Sequence, residues 1–237
     1  MLTSPYHIYP CGDHAVTIEL GDTISEDLNQ KVISLFHYLK ENKIEGIKDL
    51  IPAYNTLTLV YDTFLLKKKA PAISVYETMC SYLQKAAALI NEEIITAPRL
   101  MKIPVCYDPL LAPDIVLLAE IHQLTVEEVV KLHTAKNYRV YMIGFLPGFA
   151  YMGSVDEELV TPRRTQPRTI VPAGSVGIAG EQTGIYPFDS PGGWQLIGQT
   201  PIQMFDAKNT TPCYLHPGDE VQFHAISIDE FKKAKKT

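Results

Sequence analysis

Residues 161–201 read TPRRTQPRTIVPAGSVGIAGEQTGIYPFDSPGGWQLIGQTP, and this stretch is the strongest indicator of the fold around it. Short apolar and β-branched runs alternate with Gly and Pro, which is typical of many short strands joined by tight turns. Eleven of the 14 Gly and nine of the 17 Pro lie between Gly144 and Gly218. We therefore expect a mainly-β barrel or sandwich from Tyr138 onward.

The N-terminal part follows a different pattern, with alternating short strands and helices. Strands are predicted at residues 7–10, 15–20, 47–51 and 56–61. One helix is predicted after Ser25, a favourable N-cap, and a second over residues 72–90. Two helices on one face of a small antiparallel sheet predict an α+β sandwich of ferredoxin-like type.

The shift in pattern also predicts two domains. We place a small α/β domain at residues 1–93, a linker at 91–98, and a β-barrel domain at 98–230. The second domain begins with a strand over residues 99–104. Two short helices follow, one near Pro113 and one at Thr125, where Glu128 completes a capping box.

Composition excludes several classes of function. The 237 residues carry a net charge of −6, which argues against a nucleic-acid binder, since such proteins need a basic face. No apolar run is long enough to span a bilayer, and the first residues lack the pattern of a signal peptide. The four scattered Cys and seven dispersed His form no metal-binding motif. We expect a cytoplasmic protein with reduced cysteines and no metal.

Motifs for self-sufficient catalysis are not found. The chain has neither a Walker A sequence nor a GxGxxG motif. Ser175 resembles a nucleophile elbow, but Ala173 stands where the elbow needs Gly. A triad of Ser175 with Asp189 and either His216 or His224 is possible on paper, but any chain of this length offers such combinations. We therefore assign no catalytic residue.

The most informative constellation is cationic. Three of the five Arg lie within six residues, at Arg163, Arg164 and Arg168. Pro162 and Pro167 stiffen this segment by fixing φ. Guanidinium groups suit bidentate contacts with carboxylate or phosphate, so the segment predicts an anion site. The alternative is that one or two of these arginines pair with an acidic residue of the barrel or of a subunit interface.

Three loops rich in Gly, Pro and aromatic residues accompany the arginines. Such loops let the backbone approach a ligand and supply apolar walls, so together they predict a pocket for a small anionic molecule. The alternative is that they are barrel corners whose aromatic rings fill the core. The candidate lining residues are Phe145, Pro147, Phe149, Tyr186, Phe188, Gly192, Gly193 and Trp194.

The segments GFLPGFAYMG (144–153), 161–201 and LHPGDEVQF (215–223) resemble the allophanate hydrolase subunit 1 family. That family includes the B subunit of bacterial 5-oxoprolinase and the KipI-type inhibitor of a sporulation histidine kinase. The resemblance implies that the β-barrel is cyclophilin-like. Because fold does not imply function, prolyl isomerase activity is not implied.

The resemblance also implies an activity shared with other chains. Together with partner A and C subunits, the chain would open 5-oxoproline to L-glutamate, with ATP hydrolysed by the assembled complex. Arg163, Arg164 or Arg168 would hold the substrate carboxylate or a phosphorylated intermediate. Ser175 and Gln182 are further binding candidates, and backbone N–H groups at 174–175 or 192–193 would stabilise an oxyanion. The alternatives are a histidine-kinase inhibitor and a subunit of an allophanate hydrolase or urea-carboxylase-like system.

Overall fold

The computed structural model describes residues 6–89 and 97–235. The chain divides into two compact units at the step from Ala97 to Pro98. Most of the predicted linker at 91–98 lies outside the described residues.

The N-terminal unit is a four-stranded antiparallel sheet with helices packed on it. The strands lie in the order β1-β2-β4-β3. The longer helices α1 and α3 pack on the sheet and against each other. The strands are β1 (His7–Pro10), β2 (Ala15–Glu19), β3 (Ile47–Ala53) and β4 (Thr56–Tyr61), and the helices are α1 (Glu26–Glu41), α2 (Thr63–Lys69) and α3 (Val75–Leu89).

Local sequence explains where helix α1 begins and which face it buries. The Ser25 side chain accepts a hydrogen bond from the Leu28 N–H, as an N-cap residue does. The helix then buries Val32, Leu35 and Leu39 at helical spacing against the sheet. The predicted cap and helix are therefore confirmed.

Two details of the N-terminal prediction differ from the structure. The sandwich with helices on an antiparallel sheet is present, but its elements run ββαββαα, whereas a ferredoxin-like unit runs βαββαβ. The ferredoxin-like assignment is therefore not confirmed. Helix α3 begins at Val75, three residues after the predicted start, and the short helix α2 before it was not predicted. Asp62 caps α2 by accepting a hydrogen bond from the Leu65 N–H.

The C-terminal unit is built on a seven-stranded curled sheet in the order β12-β9-β10-β7-β6-β13-β5. Its edges approach each other where Cys106 and Gln199 exchange two backbone hydrogen bonds of 2.9 Å, so the sheet forms a half-barrel. Strands β8 and β11 form a separate ribbon. The elements are β5 (Leu100–Val105), α4 (Ile115–His122), α5 (Val126–Thr134), β6 (Asn137–Ile143), β7 (Ala150–Gly153), β8 (Arg168–Val171), β9 (Ser175–Ala179), β10 (Gln182–Ile185), β11 (Ser190–Gly192), β12 (Gln195–Gln199), β13 (Glu220–Ala225) and α6 (Ile228–Ala234).

The two faces of this sheet bury different side chains. On the inner face, Val176 and Ile178 of β9 join a large aliphatic core with residues of α4 and α5. On the outer face, Gly177 and Gly184 lie beneath the Trp194 side chain, where an added Cβ would come within 3.0 Å of it. Glycine at these two positions therefore lets the indole lie directly on the sheet.

One polar network crosses the inner core. His133 is fully buried and hydrogen-bonds the Tyr107 hydroxyl at 2.8 Å and Thr183 Oγ1 at 3.0 Å. Because Thr183 Oγ1 donates to the Gly177 carbonyl, it accepts from His133 Nε2–H, and Nδ1 accepts from Tyr107. Burial lowers the pKa of His133 to about 3, so the ring is neutral.

Candidate functional site

The segment 162–168, here called the arginine loop, lies over the outer face of the curled sheet. Its start is fixed by Thr161, which pairs with Gly180 and hydrogen-bonds His122 Nε2 at 2.9 Å. Further along, the Arg164 N–H donates to the Gly193 carbonyl at 2.7 Å. Gln195 Nε2 donates to the Pro162 carbonyl at 3.0 Å. The loop is thus held against residues 193–195.

A buried carboxylate holds two of the three arginines. Asp114 Oδ1 lies 3.0 Å from Arg164 Nη1 and 2.6 Å from Arg168 Nη2. Asp114 Oδ2 accepts from the Leu196 N–H at 2.6 Å. The Asp114 side chain is only 4% exposed. Arg164 and Arg168 therefore pair with an acidic residue of the same unit, which was the alternative to an anion site.

Arg163 has different surroundings. Its side chain is exposed, and its guanidinium lies 6.0 Å from the centroid of the Trp194 ring, in cation–π geometry. Among the described residues, no carboxylate forms a salt bridge with it. Arg163 is therefore the arginine of the loop whose charge faces solvent.

An aromatic cluster supports the loop from below, formed by Phe145, Phe149, Tyr151, Tyr186 and Trp194. Phe149 is at its centre, with ring centroids 4.8–5.6 Å from those of the other four. Phe149 and Tyr186 are each 1% exposed and Trp194 is 5% exposed. Phe149, Tyr186 and Trp194, three of the rings predicted to line a pocket, thus pack against one another in a second core.

The electrostatics of Tyr186 reflect its position beneath the arginines. Burial raises the pKa of its hydroxyl. A hydrogen bond from the Trp194 backbone and the charges of Arg163 and Arg168 act on that pKa in the opposite direction. A Cβ atom at position 192 would come within 2.4 Å of this hydroxyl, so Gly192 leaves room for the phenol ring.

The other predicted lining residues are distributed around this cluster. Phe145 is 62% exposed and has a positive φ of 67°. Pro147 is exposed on the same turn. Phe188 packs on Phe205 with a centroid distance of 5.6 Å. Gly193 contributes its carbonyl to the loop anchor described above.

Ser175 and Gln182 do not sit together. Ser175 is buried at the start of β9, and its N–H donates to the Pro172 carbonyl, while the Gly174 N–H donates to the Tyr186 carbonyl. These two N–H groups are therefore not free to bind an oxyanion, which corrects the prediction for 174–175. Gln182 starts β10, at the opposite end of that strand from Tyr186.

The sequence analysis did not predict two residues that hold the arginine loop, Asp114 and Gln195. Asp114 precedes helix α4 and resembles an N-cap, yet its side chain makes no capping hydrogen bond, because it binds the arginines. Gln195 follows the predicted Gly192–Gly193–Trp194 stretch, and proximity to it was the available signal. The buried atoms without a hydrogen-bond partner among the described residues are Arg164 Nε, Arg168 Nη1, Ser190 Oγ and Gln195 Oε1.

Residues 6–89 and 97–235 offer neither a metal site nor a membrane span. These residues contain no group of three or more His, Cys, Asp or Glu side chains placed to hold a metal ion. None of their helices combines the length and the apolar character that a membrane span requires.

Comparison with known proteins identifies the family. The family model "Carboxyltransferase domain, subdomain C and D" matches residues 6–215. The B subunit of 5-oxoprolinase from Bacillus subtilis is 40% identical over 99% of this chain and 98% of its own length. That of Escherichia coli O157:H7 is 38% identical over 91% and 94%. The chain therefore belongs to the carboxyltransferase-domain family and, within it, to the group of 5-oxoprolinase B subunits.

Solved structures share the fold of this chain. A conserved uncharacterised protein of Pyrococcus horikoshii is 43% identical, with a TM-score of 0.55 over 95% of this chain and all of that chain. The protein TTHA0988 is 35% identical with a TM-score of 0.76, but this chain spans only 39% of its length. The Kluyveromyces lactis urea carboxylase has a TM-score of 0.70 at 18% identity, over 96% of this chain and 22% of that chain, and it shares the fold.

Proposed function

We propose that the chain is the B subunit of an ATP-dependent 5-oxoprolinase that opens 5-oxoproline to L-glutamate together with A and C subunits. The observation that carries this proposal is the 38–40% identity to proteins named as the B subunit of 5-oxoprolinase, over nearly the whole chain. The chain is a non-autonomous part of that enzyme, and the partner subunits handle ATP. Its location is the cytoplasm.

We also propose that the curled sheet of the C-terminal unit is a cyclophilin-like barrel, with domain bounds of 1–93 and 98–230. The shared fold with urea carboxylase and the bridge between Cys106 and Gln199 support a barrel-like unit. The fold positions the site, while the reaction depends on the residues on the outer face.

The chemistry of the reaction matches a cationic site. 5-Oxoproline is a five-membered lactam that carries a carboxylate. Opening it breaks the C–N bond of a resonance-stabilised amide and adds one water. Activation of the lactam oxygen by phosphoryl transfer from ATP would weaken that amide. A protein that binds the substrate must therefore recognise an anion at fixed distance from a neutral amide.

The arginine loop supplies the anion recognition in this proposal. Arg163 carries an exposed positive charge held over Trp194, and it is available to attract the substrate carboxylate. Arg164 and Arg168 share one carboxylate, so the three arginines and Asp114 together keep a net charge of +2. That surplus in a chain of net charge −6 favours an anionic ligand at this place.

The test is glutamate release from 5-oxoproline and ATP by the chain co-expressed with its A and C subunits. Activity should disappear when this chain is omitted and return when it is added back. An assembled, soluble complex without activity would contradict the proposal. Inhibition of the autophosphorylation of a histidine kinase by the purified chain would then support the inhibitor alternative.

A further inference from the structure

We propose that the outer side of helix α4, beside the arginine loop, is the surface on which a second subunit docks, so that Arg163 lies at the edge of a subunit interface. The occupant is the chain that carries the remaining subdomains of the carboxyltransferase domain, which is the C subunit in the proposed enzyme. Its identity rests on the proposed function, whereas the residues of α4 and of the loop define the docking surface.

Helix α4 is apolar on both of its sides. The inner side joins the aliphatic core of the C-terminal unit. On the outer side, Val116, Leu117 and Ile121 are 46%, 48% and 53% exposed. Leu110, in the turn that leads to the helix, is 83% exposed. A surface helix has a polar outer side, whereas a helix that is apolar all round is buried, so the outer side of α4 is built to be covered.

The neighbouring helix α5 shows that this pattern is particular to α4. Both helices pack on the same core, where α5 contributes Val129. The exposed positions of α5 are charged, at Glu127, Glu128 and Lys131. Single exposed apolar residues are normal on protein surfaces, but several on one side of one helix mark an interaction surface.

Helix α4 and the arginine loop share one surface. Near the end of the helix, His122 Nε2 lies 2.9 Å from Thr161 Oγ1, where the loop starts. Before its first turn, Asp114 Oδ1 lies 3.0 Å from Arg164 Nη1 and 2.6 Å from Arg168 Nη2. The loop thus runs beside the helix over its whole length, about 12 Å for eight residues. A protein that covers the outer side of α4 therefore comes next to the loop.

The relatives indicate what covers this side. The family description names subdomains C and D of a carboxyltransferase domain, which implies further subdomains of the same domain. This chain spans 39% of TTHA0988 and 22% of the Kluyveromyces lactis urea carboxylase, but 98% of the Bacillus subtilis B subunit. The same module therefore has neighbours within its own chain in some relatives. Where it is a separate chain, it meets such neighbours by association, and the centre of such an interface is apolar.

Charge argues against a second copy of this chain as the occupant. In a symmetric dimer the same patch lies on both sides of the interface, so the two arginine loops would approach each other. The three arginines and Asp114 keep a net charge of +2 in each copy, and like charges across an interface are repulsive. The occupant is therefore a different chain, with an apolar centre and no surplus of positive charge where it meets the loop.

Docking at this surface has a consequence for the anion site. Arg163 is exposed above Trp194, and a subunit seated on α4 would shield this guanidinium from water. Charge attraction is stronger where water is excluded, so the docked partner would strengthen binding of a carboxylate at Arg163. Side chains of the partner would also reach the bound substrate. This accounts for the participation in turnover of a chain in which no catalytic residue is identified.

The experiment measures binding of the purified C subunit by calorimetry to the wild-type chain and to the double variant Leu117→Gln, Ile121→Gln. We expect the variant to bind about tenfold to 100-fold more weakly, because two apolar side chains no longer become buried on association. Its unfolding temperature should change by less than about 4 °C, since both positions are about half exposed and Gln suits a helix.

Phe64→Gln is the matched control, because Phe64 is a 90% exposed apolar residue of another helix, α2. This variant should bind the C subunit as the wild type does. Equal affinity of the double variant and the wild type, or no binding of the C subunit to the wild type, would overturn the docking surface. A dimer of this chain that the double substitution dissociates would assign the surface to a second copy instead and so overturn the partner.

Hydrogen exchange tests whether the anion site lies at the edge of this interface. Backbone amides of residues 163–168 should exchange more slowly in the complex with the C subunit than in the chain alone. Unchanged exchange there, with weaker binding of the double variant, would overturn the placement of Arg163 at the interface.

The result is separable from that of the omission experiment. If turnover disappears on omission while the double variant binds the C subunit normally, the docking surface is overturned and the proposed function stands. If omission leaves turnover unchanged while the double substitution weakens binding, the surface stands and the role in 5-oxoproline turnover is overturned.

Discussion

The two faces of the curled sheet differ in how their polar and charged groups are paired. The inner face buries aliphatic side chains around one polar network, in which His133, Tyr107 and Thr183 are all paired. Beside the outer face, two partly exposed arginines share the Asp114 carboxylate, and Arg163 lies over the Trp194 ring with its charge towards solvent. A core with all polar groups paired serves stability, whereas a surplus of positive charge at one place favours an anionic ligand.

Among the substitutions at either face, replacement of Asp114 should cause the largest loss of stability. Asp114→Ala removes the buried carboxylate that Arg164 and Arg168 share. We therefore expect the free energy of unfolding to fall by about 3 kcal/mol. Denaturant unfolding measures it. Glu120→Ala, at an exposed position of α4, is the control and should change stability by less than about 0.5 kcal/mol. An Asp114→Ala protein as stable as the control would contradict the buried ion-pair network.

The inner face should respond to pH through His133. Its pKa is about 3 in the folded protein, against about 6.5 in an unfolded chain, so the unfolded state binds the additional proton. Stability is therefore complete above pH ~6.5 and falls by up to about 1.4 kcal/mol per pH unit as the pH drops towards ~3. His133→Gln should show a weaker loss between pH 7 and 5 in the same unfolding assay. A parallel loss in both proteins would mean that other groups cause it.

Substitution of Arg168 tests whether this arginine binds a ligand in addition to forming its ion pair with Asp114. Arg168→Ala should reduce kcat/KM of the assembled complex by roughly 10–100-fold, the effect of losing a charged hydrogen bond, while complex formation persists. Arg168→Lys keeps the charge but not the planar fork, so it should recover little activity. Steady-state kinetics and gel filtration of the complex measure both properties. Unchanged kcat/KM in Arg168→Ala would remove this arginine from the site.

The smallest effect on stability should come from Arg163. Its contact with Trp194 is an exposed cation–π interaction, worth about 0.5–1 kcal/mol, so Arg163→Ala should unfold almost as the wild type does. Its exposed charge should matter more for substrate capture, and KM for 5-oxoproline should rise by roughly tenfold with a smaller change in kcat. A large stability loss without a change in KM would reverse the roles that we assign to Arg163 and Arg168.

Sequence patterns predicted local features well. The Ser25 cap, the capping box of Thr125 and Glu128, and strands such as Thr56–Tyr61 all occur as expected. These features depend on contacts within a few residues, which a sequence displays directly. The N-terminal elements follow the predicted order except for the short helix α2, which carries a weak periodic signal. The ferredoxin-like assignment was not confirmed, because that order differs from βαββαβ.

For the site, the order of amino acids was enough to predict the arginine loop, the aromatic stretches and the family. Arg163, Arg164 and Arg168 are concentrated in one stiff segment, and the aromatic residues stand out in stretches rich in Gly and Pro.

Only the tertiary structure determines which residues these side chains contact. Asp114 meets Arg164 and Arg168 across 50 and 54 residues of chain, and Gln195 meets Pro162 across 33. A salt bridge or hydrogen bond forms between atoms that are near in space. Sequence periodicity reports on neighbours within one helix or strand, so it does not encode which distant segments the sheet brings together.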